Sequence, residues 1–171
     1  EKLEKDYPWQ KLMLTEYGAD ANIAHQTEYL GDALNWGKSF YPETFQTKTH
    51  EYQWGIISKH PYIIASYLWN MFDFAVPMWN RGGVPARNLK GLITFDRKIK
   101  KDAYYWYKAN WSKNPVLYLT QRRNQDRERK HTSITVYSNL GTPKVYLNGK
   151  ELTNLKKGYT EVHYIFEDVT L

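Results

Sequence analysis

The chain has 171 residues, no cysteine, and 24 Lys and Arg against 18 Asp and Glu, which gives a formal net charge of +6. This length allows one domain or two small ones, and the lack of cysteine excludes disulfides and thiolate metal sites. No apolar run is long enough to cross a bilayer, and the N-terminal EKLEKD differs from a signal peptide, so no membrane insertion is expected.

The first predicted element is the short apolar run Leu12–Gly18, LMLTEYG. A run that is apolar on both faces and too short for a helix predicts a buried strand. In a parallel barrel, the residue at the C-terminal end of a strand projects into the mouth, which is where Glu16 falls. Gly18 then allows a sharp turn. On these residues alone, a structural carboxylate hydrogen-bonded into a loop is the favoured alternative.

The next two segments are a loop and a helix. The polar stretch from Ala19 to Pro42 is long for a loop, and loops of this length are usually functional or ordered by a ligand. Part of it, around Thr27–Leu34, could form a short helix. The segment Thr44–His60 is helical in character, with Tyr52 and Ile56 on one face.

A second βα unit follows. Tyr62–Trp69 predicts another strand buried on both faces. It leads into the cluster WNMFDF and then into a second long loop, Ala75–Leu89, with a Gly82-Gly83 pair. The pattern from Lys100 to Trp111 predicts a helix. Two βα units are too few for a closed barrel of eight.

The pattern changes near Asn114, where short alternating strands replace the βα units. Asn148-Gly149 is a strong two-residue hairpin signal. Close-set short strands with such turns indicate an antiparallel sandwich that stops short of seven strands. We therefore expect a domain boundary between residues 1–113 and 114–171. The predicted strands are Val116–Thr120, Thr132–Ser138, Lys144–Leu147 and Tyr159–Phe166.

Motifs for other chemistries are missing. No two of the five histidines have ligand spacing on one helix, so no metal site is expected. No Gly-rich phosphate loop is present either, and we expect no cofactor. The basic run Arg122–His131 lacks interleaved aromatics, which favours a solvated loop or hairpin tip over nucleic-acid binding. The 28 aromatic residues include several in predicted loops, where flat rings suit the apolar faces of sugars.

Three ordered motifs carry a resemblance to a known family. They are TEYG, a strand ending in WNMFDF, and RNLKGLITFDRKIKKDAYYWYKANWSKNP. Together they resemble the C-terminal part of family 2 glycoside hydrolases, the β-galactosidase, β-glucuronidase and β-mannosidase group. The tail TVYSNLGTPKVYLNGKEL resembles the start of their immunoglobulin-like domain. The resemblance implies the last two βα units of a (β/α)8 TIM barrel, then a partial antiparallel immunoglobulin-like β-sandwich.

The resemblance also implies roles for single residues. Glu16 matches the catalytic nucleophile at the end of barrel strand seven, and Trp69 matches a tryptophan that lines the sugar pocket. Asn88 and Lys90 match an Asn-x-Lys pair that grips the sugar carboxylate in β-glucuronidases, although relatives that look like β-galactosidases carry it too. For Lys90, a loop cation beside Asp96 is the equal alternative. His25 matches a histidine near the pocket.

One departure from the family pattern is clear. The family's acid/base is the Glu of an Asn-Glu dipeptide, and the chain contains no such dipeptide. Both chain ends look cut, so we expect a fragment of a larger polypeptide, with the acid/base upstream and the rest of that polypeptide as partner. The compartment stays open; a periplasmic or secreted location is compatible.

The sequence therefore predicts a fragment of a retaining β-glycosidase that hydrolyses a carbohydrate substrate, with a β-galactosidase-like activity favoured. A β-glucuronidase using Asn88 and Lys90 is the alternative within the class. A non-catalytic carbohydrate-binding or scaffold protein is the rival from another class, and a nucleic-acid-binding module resting on Arg122–His131 is a weaker one.

Overall fold

A computed structural model describes residues 2–28, 30, 39–127 and 129–171. The secondary-structure elements follow one another as α1 (Lys2–Asp6), β1 (Leu12–Tyr17), α2 (Glu43–Ile57), β2 (Ile63–Leu68), β3 (Phe74–Arg81), β4 (Val84–Asn88), α3 (Asp102–Trp111), β5 (Leu117–Leu119), β6 (His131–Ser138), β7 (Tyr146–Leu147), β8 (Lys150–Glu151), β9 (Leu155–Lys157) and β10 (His163–Thr170). Most of the short helix expected around Thr27–Leu34 falls on residues 29 and 31–38, outside the described residues.

Strands β1 and β2 pair in parallel, with α2 between them in the chain. This arrangement confirms a βαβ unit and brings the C-terminal ends of both strands to one edge of the sheet. The expectation that both strands are buried on both faces is wrong. The side chains of Met13, Ile64 and Tyr67 are 52%, 62% and 56% exposed, because no third described strand joins this two-stranded sheet.

The segment expected as a long loop, Ala75–Leu89, instead forms an antiparallel hairpin of β3 and β4. Gly82 and Gly83 form its two-residue turn, and both have positive φ (67° and 74°), as a type I′ turn requires. The pairing is irregular between Ala75 and Asn80. This irregularity, and the prolines within the run, hid the period-2 alternation that marks a strand.

The second half of the chain contains a four-stranded antiparallel sheet in the order β5-β6-β10-β9, with the small β7-β8 hairpin beside it. The turn of that hairpin is Asn148-Gly149, with φ of 51° and 81°. The antiparallel strands and the hairpin predicted from Asn148-Gly149 are confirmed. The last strand lies at His163–Thr170 rather than at the predicted Tyr159–Phe166.

An aromatic core joins α3 to this sheet. Trp106 and Tyr107 of α3 are buried, and they belong to one cluster with Tyr118 of β5 and Tyr137 of β6. Trp111, the last residue of α3, is 52% exposed. A smaller cluster holds Val136, Tyr164, Phe166 and Val169.

Helix α2 buries polar residues instead of apolar ones. Tyr52 and Ile56 share a face as expected, but their side chains are 54% and 38% exposed. Its buried residues are Glu43, Thr44, Gln46, Thr47, His50, Glu51 and Gly55. Because buried polar groups need hydrogen-bond partners, directional contacts help to hold α2, together with the packing of Trp54 and Ile57 against the aromatic core. One example is Tyr137, whose hydroxyl donates to Glu51 Oε1.

The basic run Arg122–His131 is not a free solvated loop. Arg123 forms ion pairs with Glu43 and Asp102, which begin α2 and α3. Arg127 pairs with Glu28. The expectation of a solvated loop is wrong for these two arginines, because carboxylates distant in sequence attract their guanidinium groups. Those carboxylates lie at the starts of two helices for Arg123 and in the loop after β1 for Arg127. Within the described part of the chain, no helix is long and apolar enough to cross a membrane.

Candidate active site

Glu16 lies near the C-terminal end of β1, with half of its side chain (52%) exposed. The ammonium of Lys90 lies 3.4 Å from Glu16 Oε1. This contact joins the two residues across 74 positions of sequence. The proposed nucleophile and one member of the Asn-x-Lys pair therefore lie side by side.

Lys90 is positioned by the turn that follows β4. Asn88, the other member of the pair, is buried, and its Oδ1 accepts a hydrogen bond of 2.9 Å from the backbone N–H of Lys90. Asn88 therefore holds the turn while Lys90 extends towards Glu16. The alternative contact of Lys90 with Asp96 is not observed in the described region, where Asp96 accepts from Thr94 and from the backbone of Lys98.

Trp69 lies directly after β2, beside the end of β1. Its backbone N–H donates to the carbonyl of Tyr17 at 2.8 Å, and its indole is 40% exposed. The ring contacts the edge of Phe74 at a centroid distance of 5.9 Å. Gly18 approaches so closely that a Cβ there would lie 2.2 Å from the Trp69 carbonyl oxygen. Glu16 and Trp69 thus belong to the same edge of the sheet.

His25 lies in the loop after β1, where its ring stacks on Phe40 with centroids 4.9 Å apart. Its Nδ1 accepts a hydrogen bond from the backbone N–H of Tyr41 at 3.0 Å. Partial burial lowers the pKa of His25 and so favours the neutral ring. The ring also faces the hairpin turn at Gly83. No described contact joins His25 to Glu16.

Sequence reasoning missed Asp20, a buried carboxylate four residues after Glu16. Burial raises the pKa of Asp20, and the charges of Arg81, Lys90 and Lys101 act in the opposite direction. These cations surround the loop between β1 and α2. The only signal in the sequence was the position of Asp20 just past a strand end.

Asn70 and Asp73, in the cluster after Trp69, hold the surrounding backbone. Asn70 Oδ1 accepts from the N–H of Met71, and Asp73 Oδ1 accepts from the N–H of Gly91 at 2.9 Å. Trp79, which could extend a sugar platform, is covered by the guanidinium of Arg81 at 3.5 Å from the ring centroid. Among the described residues, no group of three or more His, Asp or Glu could hold a metal ion.

The arrangement can support carboxylate chemistry on a polar ligand. Glu16 supplies an accessible oxygen nucleophile, Lys90 supplies a positive charge beside it, and Trp69 supplies a partly exposed flat apolar surface on the same edge. Such a combination suits a sugar ring, whose faces are apolar and whose substituents are polar.

Comparisons with known proteins identify relatives of the chain. No family model matches the chain. A β-glucuronidase from Bacteroides fragilis is 37% identical over 152 residues, which are 87% of this chain and 21% of that protein. A crystal structure of a B. fragilis protein, provisionally named a β-galactosidase, is 81% identical with a TM-score of 0.96, covering 99% of this chain and 25% of that one.

A further structure, of an FMN-binding β-glucuronidase from Facaelibacterium prausnitzii L2-6, is 36% identical with a TM-score of 0.85 and covers 99% of this chain and 25% of that one. The chain thus spans between a fifth and a quarter of the length of these relatives. The chain is homologous to a segment of proteins that are named β-glucuronidase and β-galactosidase.

Proposed function

We propose that the chain is the part of a retaining β-glycosidase that carries the catalytic nucleophile, Glu16. In this proposal residues 1–113 are the last two βα units of a TIM barrel, and residues 114–171 begin an immunoglobulin-like sandwich. The parallel β1-β2 pair and the antiparallel sheet after residue 114 support this division. The position of Glu16 at a strand end, beside Trp69 and Lys90, supports the catalytic role.

The reaction would proceed by double displacement. The Glu16 carboxylate attacks the anomeric carbon, the bond from that carbon to the glycosidic oxygen breaks, and the departing oxygen takes a proton from a second carboxylic acid. Water then attacks the glycosyl-enzyme and gives a proton to the second carboxylate, which becomes an acid again, while the bond to Glu16 breaks and Glu16 leaves as a carboxylate. The second acid comes from another part of the longer polypeptide and would lie about 5 Å from Glu16 in a retaining enzyme.

The favoured substrate is a β-glucuronide. The observation that carries this choice is the contact of 3.4 Å between Lys90 Nζ and Glu16 Oε1. A cation at this point can bind a sugar carboxylate through charge-assisted hydrogen bonds. The 37% identical B. fragilis relative is named a β-glucuronidase. A β-galactoside is the second candidate, favoured by the name of the 81% identical structure.

Mechanism-based trapping tests the proposal. The full-length enzyme would be treated with 2-deoxy-2-fluoro-β-glucuronyl fluoride or its galactosyl counterpart and digested with trypsin. The label is expected on Glu16, in the peptide that begins at Leu12. Because that peptide also contains Glu28, fragment-ion sequencing must separate the two. A label on any other residue would refute the nucleophile, and no label would favour a non-catalytic carbohydrate-binding protein. The reagent that reacts faster identifies the sugar.

A further inference from the structure

Two backbone segments meet behind the Glu16–Lys90 pair. Residues 19–21 follow the nucleophile strand, and residues 89–91 carry Lys90. One backbone hydrogen bond joins them, from the N–H of Ala21 to the carbonyl of Leu89 at 3.0 Å. Two fully buried polar side chains, Gln46 and Lys101, add further bridges between the same segments.

Gln46 reaches the segments from α2. Its Nε2 donates to the carbonyl of Ala19 at 2.8 Å and to the carbonyl of Gly91 at 3.2 Å, with the carbonyl of Lys90 at 3.5 Å. Only the NH₂ end of the amide can face carbonyl oxygens favourably, so these acceptors also determine its orientation. Gln46 therefore ties the chain after Glu16 to the carbonyls of Lys90 and Gly91.

Lys101 reaches them from the residue before α3. Its ammonium donates to the carbonyls of Ala21 and Leu89 at 2.8 and 3.0 Å and to Asp73 Oδ1 at 2.9 Å. Three donors thus meet three acceptors. Asp73 Oδ1 also accepts from the N–H of Gly91. A buried charge needs such complete pairing, and removing one partner of a buried pair is costly.

We propose that Gln46 and Lys101 are positioning residues that set the placement of Lys90 against Glu16 and thereby control recognition of the sugar. This inference rests on the proposed function. Neither side chain reaches Glu16 or the Lys90 ammonium in the described contacts. Both act through the backbone, and a displacement of about 1 Å at a catalytic site can cost about 10²-fold in rate.

A double-mutant cycle on the full-length enzyme tests this inference. Gln46→Met keeps a side chain of similar length and no charge but removes the donors. In the wild-type background we expect kcat/KM for the better substrate to fall about tenfold. In a Lys90→Ala background the same change should cost less than about twofold, because the ammonium that Gln46 positions is gone.

The matched control is Thr47→Val, on the same helix. Thr47 is also buried, but its hydroxyl donates at 3.0 Å to the carbonyl of Glu43 within α2. The Thr47→Val variant should lower the melting temperature, and its effect on kcat/KM should be the same with and without Lys90→Ala. If Gln46→Met does not fold, the charge-neutral pair Lys101→Met with Asp73→Asn replaces it, and the same coupling is expected.

Equal losses in both Lys90 backgrounds would overturn the positioning role and leave a purely structural one. Trapping separates this failure from failure of the proposed function. If Glu16 is labelled and the cycle is additive, only the positioning role is refuted. If Glu16 is not labelled in the wild-type enzyme, the proposed function is refuted and the positioning role with it.

Discussion

The ammonium of Lys90 lies 3.4 Å from the carboxylate of Glu16, although the residues are 74 positions apart. The side chains of Lys90 and Glu16 are 22% and 52% exposed. An ion pair this open contributes at most about 1 kcal/mol to stability. A contribution to stability therefore explains little of this contact. Under the proposed function, recognition of a charged ligand explains the position of Lys90 directly.

Replacing Glu16, the proposed nucleophile, should abolish formation of the glycosyl-enzyme. In the full-length enzyme we expect Glu16→Gln to lower kcat by at least about 10³-fold, because the amide cannot attack the anomeric carbon. Folding should persist, since the side chain is half exposed. Near-identical circular dichroism and melting temperature would show this.

A smaller substitution gives a mechanistic signature. Glu16→Ala with added azide should regain turnover of an activated aryl glycoside and release the α-glycosyl azide, because azide attacks from the vacated face. NMR identifies the anomer. Recovery of only the β product would contradict a nucleophilic role for Glu16.

Removing the cation should change substrate preference. Lys90→Met is expected to lower kcat/KM for an aryl β-glucuronide by about 10- to 100-fold, because a hydrogen bond to a charged group contributes about 1.5–3 kcal/mol. Turnover of the matching galactoside should change little. Lys98→Met, at an exposed loop cation, is the control. Equal losses on both substrates would exclude carboxylate recognition by Lys90.

Gly18 should not tolerate a side chain. Gly18 has a φ of +150°, and an alanine Cβ would lie 2.2 Å from the Trp69 carbonyl oxygen. Gly18→Ala must therefore push the ends of β1 and β2 apart, lowering both the melting temperature and kcat/KM. Gly141→Ala is a matched control, since Gly141 also has positive φ (+97°) but no atom within 4 Å of its Cβ position. If both variants behave alike, backbone strain rather than the close approach is responsible.

Buried His50 should make the protein sensitive to acid. Burial, aided by the charge of Lys101, lowers the pKa of His50 from 6.5 to about 3. Below pH 6.5 the unfolded chain binds a proton that the folded chain does not. Stability is therefore present above pH 6.5 and is lost as the pH falls towards 3, at up to about 1.4 kcal/mol per pH unit.

His50→Asn is the variant that measures this effect, because the Asn amide can donate to or accept from the Tyr107 hydroxyl, which lies 2.8 Å from His50 Nδ1. We expect it to be less stable than wild type at pH 7.5 but to lose less on acidification to pH 4. Melting temperatures across that range, with Thr47→Val as a pH-insensitive destabilised control, provide the measurement. A parallel loss in wild type and His50→Asn would exclude His50 as the cause.

Local sequence signals predicted much of the fold. The apolar runs gave β1 and β2, and Asn148-Gly149 gave the β7-β8 turn, because these features depend on neighbouring residues alone. The β3-β4 hairpin was missed although Gly82-Gly83 is also a two-residue turn signal. Met78 and Ala86 have positive φ within it, and such irregular strands lack the alternation that identifies a strand.

The candidate site was predicted less completely. The position of Glu16 near the end of an apolar run marked it as a candidate, and the resemblance of TEYG and WNMFDF to a known family gave Glu16 and Trp69 their expected roles. The contacts of Glu16 with Lys90 and of Arg123 with Glu43 could not be predicted from the sequence, since they join residues 74 and 80 positions apart. The polar buried face of α2 was equally hidden, because hydrophobic periodicity predicts only apolar packing.

The long-range hydrogen bonds of Gln46 and Lys101 also affect when the Glu16–Lys90 geometry forms during folding. Lys101 bonds to residues 80 and 12 positions earlier in the chain, and Gln46 bonds to residues 27 positions earlier and 45 later. Closing such loops costs entropy before the contacts compensate for it. We therefore expect the Glu16–Lys90 geometry to form late in folding. A partly synthesised chain that ends before Lys101 would have both residues but would lack one of the bridges behind them.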